Sequence, residues 1–135
     1  MSLVIDSSMT LAWCFEDEKT EASTAVFNRV VETGAIVPGL WRLEVMSGLR
    51  AAVRRTRITV AYRDASLNDL RALAVAVDSG TDYHAWSETL EFSDRYGLTP
   101  YDAAYLELAL RKNLPLATLD KELLAACNAA EATVL

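Results

Sequence analysis

A chain of 135 residues, 52% apolar and 24% charged, suits one domain with its own core, is short for two, and is not the composition of a disordered tail. Two cysteines and one histidine leave no disulfide framework and too few ligands for structural zinc. The net charge of −6 is the wrong sign for a protein that coats nucleic acid through phosphate contacts. No basic patch precedes an apolar run at Met1–Asp6, and nothing approaches the roughly 20 apolar residues of a membrane span, so a single cytoplasmic domain over residues 1–135 is expected.

In chain order, Leu3-Val4-Ile5 is a short apolar, β-branched run ending in Asp6-Ser7-Ser8, which predicts a buried strand and a turn able to cap a helix. Helices are expected over Ser8–Phe15 and Glu18–Val31, the second stopped by Gly34. Ala35-Ile36-Val37 predicts a second strand, ended by Pro38. From Leu40 to Arg55, helical periodicity puts Trp41, Val45, Met46, Leu49, Ala52 and Val53 on a broad apolar face. Glu44 lies off that face, on a stripe with Ser47, Gly48 and Ala51, where small residues leave room for another element or a ligand.

A further helical stretch is expected over Val60–Val77, then a break at Asp78-Ser79-Gly80 and a helix from His84 to Tyr96 closed by Gly97. Thr99 caps the next helix, with Pro100 in its first position, Asp102 in its first turn and Lys112 near its end. Leu114–Leu119 predicts a strand ending at Asp120, followed by a short helix and a last strand, Thr133–Leu135. Short apolar strands alternating with helices point to an α/β fold with a parallel sheet covered on both faces.

Asp6 and Asp120 each follow a predicted strand, and ligands of open parallel sheets bind beyond the carboxyl ends of the strands. The fold could bring Asp102 and Glu44 to the same crevice. Each acid also has a structural reading: Asp6, Asp102 and Asp120 as helix caps, and Glu44 as an exposed helix acid. Carboxylates crowded into one cleft raise one another's pKa and cost stability. A divalent cation resolves that conflict, and an all-oxygen donor set selects Mg²⁺ or Mn²⁺. His84 has no nucleophile near it in sequence, and Cys14 reads as a small core residue. Arg42, Arg50, Arg54, Arg55, Arg57 and Arg63 concentrate positive charge in one stretch, either as a solvated helix face or as an anion-binding rim.

Four segments together resemble the acidic motifs of PIN domains, and most nearly those of VapC-type toxins of bacterial toxin–antitoxin pairs. They are Val4-Ile5-Asp6-Ser7-Ser8, Pro38-Gly39-Leu40-Trp41-Arg42-Leu43-Glu44-Val45, the run Leu98 to Ala109 containing Thr99-Pro100-Tyr101-Asp102, and Pro115 to Lys121 containing Thr118-Leu119-Asp120. The resemblance implies a three-layer α/β/α fold with a parallel sheet of about four or five strands. It also implies Mg²⁺- or Mn²⁺-dependent endoribonuclease activity, a homodimer, and a small cognate antitoxin that blocks the site. Carried over by position, Asp6, Glu44, Asp102 and Asp120 form the catalytic, metal-binding quartet, with Ser7, Ser47 and Thr118 in support. Ser47 stands where many relatives carry Asn, which shortens the reach of that support. The resemblance offers Arg50, Arg54, Arg55 and Arg57 as contacts for RNA or antitoxin. Two alternatives remain open: a PIN-fold binding module with weak catalysis, and a solitary nuclease. A phosphotransfer site of the haloacid dehalogenase type would want a second Asp where Ser8 stands.

Overall fold

A computed structural model describes residues 2–135. Its strands, β1 (Val4–Ile5), β2 (Ala35–Val37), β3 (Val75–Val77) and β4 (Leu116–Ala117), form one parallel sheet in the order β3-β2-β1-β4. Val4 sits opposite Ile36 on one side and Leu116 on the other. Successive strand residues face opposite sides of a sheet, so the complete burial of both Val4 and Ile5 means that both faces are covered.

The covering helices form two groups. In one, α1 (Ser7–Cys14), α2 (Glu21–Thr33), α3 (Trp41–Arg54) and α4 (Val60–Arg71) pack in series. In the other, α5 (Thr81–His84), a π-helical turn (Ala85–Thr89), α6 (Leu90–Tyr96) and α8 (Lys121–Ala129) surround α7 (Pro100–Lys112). The architecture is the three-layer α/β/α sandwich expected, with four strands. Local chemistry sets the helix starts: Thr20, Thr59 and Thr99 each accept a backbone N–H in the first turn, and Pro100 opens α7.

Three expectations need correction. The helix expected to run to Val77 ends at Arg71, and Val75–Val77 instead pairs with Ala35–Val37 as the edge strand β3. The helix expected from Glu18 begins at Glu21, because Glu16–Glu18 forms a 3-10 turn and the Thr20 hydroxyl caps the helix after it. The last strand reduces to a single bridge, Leu116 to Val134, because β4 offers it only Leu116–Ala117 before the chain turns into the cap of α8.

Strand order reverses between β1 and β4, since the chain leaves β1 for β2 on one side and returns in β4 on the other. The crevice beyond such a switch point is where Asp6 follows β1 and Asp120 follows β4. Two contacts bring α3 beside it. Trp41 Nε1 donates to Thr10 Oγ1 (3.0 Å), which donates in turn to the Asp6 carbonyl (2.8 Å). Gly48 receives the Leu11 side chain of α1, and a Cβ there would sit 2.5 Å from Leu11 Cδ1. The small-residue stripe beside Glu44 is therefore filled by a neighbouring helix at Gly48, while Ser47 stays exposed. Gly48→Val is expected to displace the Leu11 side chain from the α1–α3 contact and destabilise the protein by about 1–3 kcal/mol, read as a lower urea midpoint at unchanged slope.

Candidate active site

Asp6 is almost fully buried, and its carboxylate is held from three directions. The Met9 backbone N–H donates to Oδ1 (2.9 Å), capping α1. Ser8 Oγ donates to the same carboxylate (2.7 Å to Oδ1, 2.9 Å to Oδ2), and Thr118 Oγ1 donates to Oδ2. Ser8 and Thr118 also accept the N–H groups of Leu119 and Asp120 (each 3.0 Å), binding the ends of β1 and β4 together. Asp120 caps α8 by accepting the Leu123 N–H at Oδ1 (2.9 Å), which leaves Oδ2 free of that task. Capping by Asp6 and Asp120 does not exclude a place for them in the crevice.

Glu44, on α3, is half-buried and accepts a hydrogen bond at Oε1 from the Tyr105 hydroxyl of α7 (2.7 Å). The Ser7 hydroxyl lies against the same pair and favours the ionised carboxylate. Asp102 sits in the first turn of α7, one turn before Tyr105, and its backbone N–H, not its side chain, completes the Thr99 cap (3.1 Å).

The electrostatics show that these acids share one field. Burial raises the Asp6 carboxyl most, and the Asp120 charge adds to it against the donors from Thr118, Met9 and Ser8. Burial likewise raises Glu44, with a contribution from Asp6, against the Tyr105 and Ser7 hydroxyls. Asp102 is pushed up to about 6, first by burial, then by the charges of Asp120, Glu44 and Asp6. A helix N-terminus favours an ionised acid, so burial and repulsion outweigh the dipole here.

Among the described residues, none of the four acids is ion-paired with Lys or Arg. Nor are any three His, Cys, Asp or Glu side chains among the described residues placed to hold a metal ion together. An ion such as Mg²⁺, which takes one or two direct carboxylates and keeps water as its other ligands, does not require such a group.

The supporting residues divide. Thr118 is buried and bonded to Asp6, and Ser7 faces Glu44 and Tyr105, whereas Ser47 is exposed on α3 and makes no side-chain hydrogen bond among the described residues. Ser8 and Tyr105 went unrecognised as partners of the acids. Ser8, two residues after a capping Asp, carried a local signal; Tyr105 lies one turn beyond Asp102, but only the fold places it against Glu44. Arg50, Arg54 and Arg55 are exposed. Arg57 is engaged elsewhere: it pairs with Asp17 and Glu18 (2.7 Å each) and lies 4.0 Å from the Phe15 ring centroid. His84 is bonded to Glu88 (3.1 Å), and Cys14 and Cys127 are buried free thiols.

A parallel sheet with this strand order and an acid cluster beyond its switch point defines a class, and comparison with known proteins gives it a name. The PIN domain family profile matches residues 3–128, and the chain belongs to that family. It is similar to Ribonuclease VapC3 of Mycobacterium tuberculosis, in strains CDC 1551 / Oshkosh and H37Rv alike. The identity is 35% over 115 residues, covering 84% of this chain and 80% of the relative. Among solved structures it resembles PAE2754 from Pyrobaculum aerophilum, with a TM-score of 0.69 and 26% identity over 93% of this chain and 86% of that one. No helix among the described residues is long and apolar enough to cross a membrane.

The Asp102 shift fixes a pH dependence. A carboxyl raised from 3.8 to about 6 in the folded state contributes stability that is complete below the lower value and lost as pH rises through the higher. In EDTA, Asp102→Asn should therefore melt no higher than wild type at pH 4 and above it at pH 7.5. Parallel melting curves across that range would show that the Asp102 carboxyl is unstrained.

Proposed function

We propose that this chain is a Mg²⁺- or Mn²⁺-dependent endoribonuclease, and the toxin member of a toxin–antitoxin pair. The observation that supports this most is the convergence of Asp6, Glu44, Asp102 and Asp120, raised in pKa or facing one another's charge and without a paired cation among the described residues. Holding such a cluster costs stability, and a bound divalent cation gives the arrangement a use. The name of the VapC3 relative, a ribonuclease, supports RNA as the substrate.

Asp6 is the anchor of the reading, because Met9, Ser8 and Thr118 fix its carboxylate before any ion arrives. Asp120 is oriented by its cap on α8, and Glu44 by its hydrogen bond from α7. Asp102 supplies a carboxylate whose proton is easily displaced near neutral pH. When bound, the cation would activate a water and stabilise charge on the leaving oxygen of a phosphodiester.

RNA still has to reach an acidic cleft. Arg54 and Arg55 prolong the helical stripe that carries Glu44, roughly 15 Å along α3. With Arg50 they form the rim assigned to phosphate contact or to an antitoxin. Arg57 is left to its pairing with Asp17 and Glu18. A homodimer and an antitoxin that covers the acids belong to the same reading, through the family resemblance.

The test uses purified, antitoxin-free protein, several RNA classes and millimolar Mn²⁺. Asp6→Asn and Asp120→Asn keep the helix caps, because Asn caps as well as Asp. Each should lower cleavage by no less than the roughly 100-fold that outer partners of metal ligands cost, while the protein stays folded. Folded variants that cut RNA at the wild-type rate would reduce these acids to caps and remove the nuclease assignment.

A further inference from the structure

Tyr105 heads the fully buried side chains in size, and its hydroxyl is the one polar atom that its ring carries into the core. A buried phenol needs a partner, and this one donates to Glu44 Oε1 across 61 residues of sequence (2.7 Å). The arrangement joins two acid-bearing helices. Tyr105 lies three residues after Asp102 on α7, hence on the same face of that helix, and reaches the acid of α3. A glutamate at a cleft has three rotatable side-chain bonds and must lose that freedom to act as a ligand. Tyr105 removes part of it in advance, because its ring is immobilised by the core that includes Leu106 and Leu108.

We infer that Tyr105 is a positioning residue for the cation site: its buried hydroxyl holds the Glu44 carboxylate by Oε1, in the orientation in which it would serve the ion. A phenylalanine would fill the same core volume, so packing alone does not call for the hydroxyl. The inference rests on the metal-dependent reading proposed above.

Calorimetric titration with Mn²⁺ tests both and separates them, using wild type, Glu44→Gln, Tyr105→Phe and the double variant. Wild type should bind, and Glu44→Gln should bind more weakly. Tyr105→Phe should weaken binding about tenfold, the usual effect of removing a hydrogen bond to a metal ligand. In the Glu44→Gln background the same change should cost nothing further, because the bond it removes no longer orients a carboxylate. In RNA cleavage, Tyr105→Phe should lower kcat and leave KM for RNA unchanged. Tyr105→Phe within twofold of wild type, with Glu44→Gln weakened, overturns the inference about Tyr105 and leaves the cation site standing. Wild type that binds no Mn²⁺, or Glu44→Gln that binds equally well, overturns the cation site and this inference together. A second measurement needs no change at Tyr105. Titrating wild type with Mg²⁺ should shift the ¹³Cζ resonance of Tyr105, one of five tyrosines, with the calorimetric midpoint, and Glu44→Gln should abolish the shift. A Tyr105 resonance that ignores bound Mg²⁺ overturns the inference.

Discussion

Burying carboxylates beside one another without a cation is the constraint around which the molecule is built. Desolvation is the largest cause of the raised Asp6, Glu44 and Asp102 carboxyls, and mutual repulsion adds to it. In the protein alone, hydrogen bonding offsets this: the Met9 N–H, Ser8 and Thr118 at Asp6, Tyr105 and Ser7 at Glu44, and the Leu123 N–H at Asp120. These donors stabilise each charge singly and leave the sum of the charges uncompensated. That remaining negative field is what a divalent cation, or a basic group from a partner, would meet.

The other end of α7 shows how the same chain treats acids with a structural purpose. Glu107 and Asp78 are both buried, and Arg111 bonds to each, at 2.7 Å and 2.6 Å. The guanidinium holds Asp78 below the usual carboxylate range. So α7 carries an ion-paired acid cluster near its C-terminus, which ties it to the end of β3, and an unpaired one at its N-terminus. Between them Ala103 to Ala109 are buried without interruption, which fixes the helix while its first turn faces the crevice. The contrast supports the proposal that function lies at the uncompensated end.

Much of this was legible in the sequence because the signals were local. The Leu3-Val4-Ile5 run, the Thr99-Pro100 helix start and the acids after β1 and β4 all follow from periodicity and capping. The features that were missed depend on pairing across the chain. Val75–Val77 prolongs a helix-like apolar pattern, and only its register with Ala35–Val37 makes it a strand. Gly48 read as room for another element or a ligand, and only the fold shows that Leu11 of α1 takes it. Arg57 looked like its neighbours, but its partners Asp17 and Glu18 lie 40 and 39 residues away. The bond from Tyr105 to Glu44 was hidden for the same reason, since nothing near either residue announces the other.

The central claim is that unpaired carboxylates, raised by burial and then by one another's charge, would take up a cation, and proton release on metal binding tests it most directly. At pH 6 the Asp102 carboxyl, with a pKa of about 6, is half protonated, and a cation that binds the ionised form must displace that proton. Mn²⁺ titrations at pH 6 and pH 8, repeated in buffers of different ionisation enthalpy, count the protons released. The account predicts release of at least about half a proton at pH 6, since Asp6 and Glu44 are raised as well, and less at pH 8. Binding that releases no proton at pH 6, or no binding at either pH, would contradict it.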